Sequence, residues 1–124
     1  MSEQQKQLQS LSDEFQSLQT ELQTTVSARQ KLESQQQENL GVQKEFATLS
    51  DDANVYKLVG PVLLKQDTSE ARSTVDGRLE FIEKEIKRIE TQIASVQEKS
   101  EQKKMEIYQL QTQMQQPQGQ AQPA

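Results

Sequence analysis

The chain contains no cysteine, no histidine and no tryptophan among its 124 residues. Without cysteine there is no disulfide framework and no thiol nucleophile, and nothing points to an oxidising compartment. Without histidine the usual imidazole acid–base and the Cys/His metal sites are also excluded. Aromatic residues make up 4% and hydrophobic residues 31%, against about 45–50% in ordinary globular domains, so a compact sphere with a large core is not expected. Glycine and proline are few, four and three, which leaves few natural breaks in a helix. No apolar run approaches the ~18 residues of a membrane span. The first residues, "MSEQQKQLQS", carry no apolar signal-peptide stretch. There is no G-x-x-x-x-G-K-[ST] phosphate loop, and neither "SDDAN" nor "DTSE" has calcium-loop spacing. The carboxylates are spread along what read as solvated faces. Catalysis, cofactors and metals are therefore not expected. With a net charge of −5 and a pI near 4.8, nucleic acid and anionic membranes are poor partners. A soluble cytoplasmic protein is the expectation.

What is present in excess is glutamine, roughly a fifth of the chain, arranged around a strict apolar repeat. Leu8, Leu11, Phe15, Leu18 and Leu22 step by three and four. The step continues through the polar Thr25, Arg29, Gln36, Asn39 and Gln43, with Leu32 among them, to Phe46. A helix over about residues 3–49 follows, on the order of 70 Å long, with Gly41 as its one weakening residue. A second seam runs Val75, Leu79, Ile82, Ile86, Ile89, Ile93, Val96, Ser100, Lys103, Ile107, Leu110, Met114 without a slip. It predicts a helix over about 69–115, started by the cap-capable "DTSE" and supported by Glu80/Lys84 and Glu83/Lys87. Pro117, Gly119 and Pro123 stop any helix, and 117–124 reads as a disordered tail. Two matched helices, each with one narrow stripe, fold back into an antiparallel coiled coil, so 1–116 reads as one domain. The polar seam residues Thr25, Arg29, Ser100 and Lys103 either fix register or loosen a hinge.

Between the helices lies "NVYKLVGPVLLKQD". Gly60-Pro61 suits a two-residue type II′ turn, because glycine accepts positive φ and proline fixes φ near −65°. The turn pairs Val59 with Val62, Leu58 with Leu63, Lys57 with Leu64 and Tyr56 with Lys65. One face then carries Val55, Val59, Val62 and Leu64, the other Tyr56, Leu58 and Leu63. A lone hairpin is marginal in water and its edges invite further strands. Seven apolar side chains worth about 1.5–3 kcal/mol each on burial have nothing in this chain to cover them. The hairpin, about residues 54–66, is therefore expected to be completed by other chains, through Val55, Tyr56, Leu58, Val59, Gly60, Pro61, Val62, Leu63 and Leu64. Phe81, off the seam, is expected to pack against the same sheet.

The order helix, hairpin, helix, with "YKLVGPVLLKQD" in the hairpin and "EARSTVDGRLEFIEKEI" opening the second helix, resembles a β-type subunit of the prefoldin family, of the eukaryotic kind. The resemblance spans about residues 5–115. It implies a mainly α fold whose β-hairpin joins an inter-subunit β-barrel, in a hexamer of two α-type and four β-type subunits. It further implies coiled-coil tips that hold unfolded actin and tubulin and pass them to the cytosolic group II chaperonin, without ATP. A surface for unfolded clients needs exposed, adaptable apolar groups. Met105 and Tyr108 lie off the seam near the free ends, and fraying would add Leu8, Leu11, Phe15, Leu110 and Met114. The competing readings are scattered surface residues without a role, and a coiled-coil scaffold that tethers one folded partner. An antiparallel arm for nucleic acid would need a basic stripe, which the mixed-sign helices lack.

Overall fold

A computed structural model of the chain describes residues 2–50 and 52–116. The expected tail, 117–124, lies outside the described residues. The order is α1 (Glu3–Thr48), β1 (Val55–Val59), β2 (Val62–Gln66) and α2 (Thr68–Gln115), the helix–hairpin–helix arrangement read from the sequence. The described residues divide into two compact units, 2–27 with 90–116, and 28–50 with 52–89.

Each helix start has a local chemical cause. Ser2 and Gln5 form a capping box, the Gln5 amide donating to Ser2 Oγ at 3.1 Å and the Ser2 amide to Gln5 Oε1 at 3.0 Å. At α2 the Ser69 amide donates to Asp67 Oδ1 at 2.8 Å, and the Ala71 amide to the Asp67 carbonyl at 2.9 Å. Asp67 is thus the N-cap that satisfies an otherwise orphaned donor.

In the first unit the helices run antiparallel: Gln19 Nε2 donates to Ser100 Oγ at 2.6 Å, while Lys103 Nζ meets Glu14 at 2.6 Å. Val96, Ser100, Leu110 and Thr25 are buried, and Leu8, Leu11, Phe15, Leu18, Leu22, Ile93, Ile107 and Met114 are half-buried between them. The polar seam positions do not face one another. Ser100 meets Gln19, more than a helical turn before Thr25, and Thr25 instead donates to the carbonyls of Glu21 and Leu22 in its own helix. Each buried hydroxyl therefore has its own partner, as burial of a polar group requires.

The second unit is lopsided. Its buried residues, Ala71, Val75, Ile82, Ile86 and Ile89, all come from α2. Opposite them α1 offers Arg29, Leu32, Gln36, Asn39 and Phe46, all half-buried, and Gln43, which stays exposed and donates to Asp76 Oδ1 at 2.9 Å. Side chains such as Arg29 and Gln36 have hydrocarbon stems that can shield apolar neighbours while their polar ends stay near water. Ala71, buried at 5%, extends the α2 seam one step before Val75. On the outer surface, Glu80–Lys84 and Glu83–Lys87 approach to 3.5 Å, and Arg88 pairs with Glu85 at 2.9 Å.

The strands pair antiparallel in the expected register, Val59 with Val62 through Val55 with Gln66. Gly60 has φ +58°. Proline cannot follow with positive φ, so the turn is of the II′ kind. Thr68 Oγ1 donates to the Ala53 carbonyl at 3.3 Å, tying the two ends of the hairpin segment together.

Candidate functional site

The hairpin is bare on both faces. Tyr56, Leu58 and Leu63, on one face, are 54%, 68% and 63% exposed; Val59, Val62 and Leu64, on the other, are 48%, 52% and 51% exposed. Only the base residues Val55 and Gln66 are half-buried. A hairpin folded down onto the helices of its own chain would have hidden one face, and neither is hidden. Large apolar side chains left in water on a two-stranded sheet constitute a patch of the sort that partners cover.

Phe81 is 63% exposed and does not sit against the chain's own strands. The groove it lines is built by Gln35, Asn39, Gly77, Arg78 and Ile82, all from the helices. The reason is spacing: the helix residues at the hairpin's base are Ala71, Thr74, Val75 and Arg78, and Phe81 lies nearly a turn beyond the last of them.

Two features here escaped the sequence. Arg72 Nη2 donates to the Phe46 carbonyl at 2.9 Å, capping the end of α1, whose last turn has no basic residue. Nothing in the local sequence announces a cap supplied from the other helix. The second is a groove of about 250 Å³ at the hairpin base, lined by Val42, Phe46, Val55, Tyr56, Lys57 and Arg78 among others. Its signal was available: Lys57 is a cation inside an otherwise apolar strand.

In the first unit, Met105 and Tyr108 are 61% and 70% exposed on α2. Leu8, Leu11, Phe15 and Met114 are half-buried and Leu110 is buried, so in this closed state the seam residues satisfy one another. Nearby, the Glu14 carboxylate accepts from Lys103 and raises the lysine above its ordinary value of 10.5, with Glu106 adding to the effect. At the loop before β1, the Ser50 hydroxyl donates to Asp52 at 2.7 Å and holds its carboxyl below the usual range. Arg88 does the same for Glu85. These are structural charges on exposed surfaces. Among the described residues no helix is long and apolar enough to cross a membrane.

Comparison with known proteins agrees with this architecture. The family model described as prefoldin subunit matches residues 2–114. Prefoldin subunit 6 of Bos taurus is 46% identical over 115 residues, covering 93% of this chain and 89% of that protein. The Saccharomyces cerevisiae prefoldin subunit 6 is 51% identical over 100 residues, covering 81% and 88%. Among solved structures, the prefoldin beta subunit from Thermococcus strain KS-1 superposes with a TM-score of 0.76 at 28% identity, over 90% of this chain and 95% of that one. Two helices bearing an uncovered hairpin, matched over nearly their whole length, leave one assignment: the chain belongs to the prefoldin subunit family.

Proposed function

We propose that this chain is one subunit of a hexameric, ATP-independent co-chaperone, built from two α-type subunits and three further β-type subunits besides itself. The observation that carries the reading is the hairpin, with six large apolar side chains between 48% and 68% exposed and left uncovered by the described residues. Their burial against neighbouring hairpins in a β-barrel releases about 1.5–3 kcal/mol per side chain, and closing the barrel removes the strand edges. Val55, Tyr56, Leu58, Val59, Val62, Leu63 and Leu64 form that contact around the Gly60-Pro61 turn, with Phe81 at its margin.

The client surface lies on the first unit. Met105 and Tyr108 present adaptable apolar area where an unfolded chain of no fixed shape can bind, and loosening of the helix ends adds Leu8, Leu11, Phe15, Leu110 and Met114. Unfolded actin and tubulin are the proposed clients and the cytosolic group II chaperonin the proposed recipient. The chemistry is holding, not turnover, so neither cofactor nor nucleotide enters.

The test is aggregation suppression by the assembled complex with several unrelated denatured proteins. Suppression of all of them supports the chaperone reading. Binding of one folded partner, with no suppression, replaces it with a tethering scaffold.

A further inference from the structure

We propose that the groove at the hairpin base receives a carboxylate-bearing, apolar segment of a neighbouring prefoldin-type subunit, its acidic group held between Lys57 and Arg78. The inference rests on the assembly reading above and specifies the chemistry of one contact in it.

Lys57 shares its hairpin face with Val55, Val59, Val62 and Leu64, directly opposite Leu64. If that face is covered by other chains, an ammonium goes with it, and burying an uncompensated charge is costly. Arg78 reaches the same groove from α2. Neither Lys57 nor Arg78 has an ion-pair or hydrogen-bond partner among the described residues. The remaining lining is Val42, Phe46, Val55, Tyr56, Gln66, Ala71, Thr74 and Val75, with no carboxylate. The counter-charge must come from outside the groove's own walls. The chain as a whole is acidic, at −5, so two unpaired cations lining one apolar recess stand out. At about 250 Å³ the recess is smaller than the ~300–1,000 Å³ of small-molecule pockets, and it fits a few protein side chains. Two cations also make too short a track for a nucleic-acid backbone, which needs a stripe. An acidic residue beside an apolar one, offered by a neighbouring subunit, satisfies both the charge and the surface.

The experiment uses the complex assembled from the wild-type chain and its partner subunits, treated with a carbodiimide that joins an amine to a carboxylate in direct contact, with loss of water. The expected product is a peptide joining Lys57 to an Asp or Glu of another subunit. Subunit exchange from a complex carrying Lys57→Gln and Arg78→Gln is expected to be at least about tenfold faster than wild type, with the helical content of the free chain unchanged. If other lysines cross-link between subunits while Lys57 does not, and the double variant exchanges at the wild-type rate, the contact is overturned while assembly through the hairpin stands. A wild-type chain that forms no complex overturns both.

Discussion

Arg72, in the second turn of α2, donates from Nη2 to the carbonyl of Phe46 in the last turn of α1, at 2.9 Å. That carbonyl also accepts from the Leu49 amide at 3.2 Å. The guanidinium supplies the positive charge that the end of α1 lacks in its own sequence and fixes where the helix stops before the hairpin. Replacing Arg72 with Met keeps the hydrocarbon stem and removes the cap. A loss of about 1 kcal/mol is expected, read as a lower midpoint in thermal or urea unfolding. An unchanged midpoint would show that the cap adds nothing.

The start of α2 depends on Asp67. Asp67→Ala should cost about 1 kcal/mol and Asp67→Asn much less, since the amide oxygen can still accept from Ser69. Equal losses in the two variants would mean that charge, rather than the hydrogen bond, is what matters there.

Gly60 is held at φ +58°, and an added Cβ would meet nothing within 4 Å. Gly60→Ala therefore tests backbone strain without a steric clash. An alanine at that turn position costs on the order of 1–3 kcal/mol, paid by the hairpin alone. Assembly should weaken while the helical circular dichroism of the free chain stays the same. Loss of helicity in step with assembly would contradict the separation of the two.

The Lys103 contact sets an alkaline limit on the first unit. Glu14 raises the lysine above its ordinary 10.5, so the stabilisation is complete below that value and disappears as pH rises through the raised one. Asp52 and Glu85 act in the opposite sense. Their carboxyls are lowered from ordinary values of 3.8 and 4.5, so their contribution is present above those values and lost as pH falls through the lowered ones. In Lys103→Met the alkaline limb of a stability–pH curve should flatten. An unaltered alkaline limb would remove Lys103 as its source.

Much of this was legible because the determinants are local or periodic. The heptad step placed the seam residues, since a 3.5-residue repeat admits only one helical face. Gly60-Pro61 fixed the turn, and the turn fixed the register of Val59 with Val62 and every pair behind it. Ser2 and Gln5 are legible too, as an S-x-x-Q box. Arg72's cap and the Gln19–Ser100 pairing could not be read, because each depends on which side chains the other helix brings alongside. Phe81 shows the same limit: its distance from the hairpin in sequence did not tell which elements would stand next to it.

The client surface makes a separate demand. Met105→Ser with Tyr108→Ser changes two side chains that are 61% and 70% exposed, so folding and assembly should be unaffected. Suppression of client aggregation by the complex should fall several-fold. Undiminished suppression would move the client contact elsewhere.

Coverage of the hairpin by other subunits is open to direct measurement. Native mass spectrometry of the chain mixed with its partner subunits tests it most directly, comparing wild type with Leu58→Asp/Leu63→Asp, which puts charge on the face with Tyr56. The wild-type chain is expected in a hexamer and the variant as a folded chain outside it. A wild-type chain that stays a folded single copy beside its partners, with Leu58 and Leu63 still open to solvent, would contradict the account.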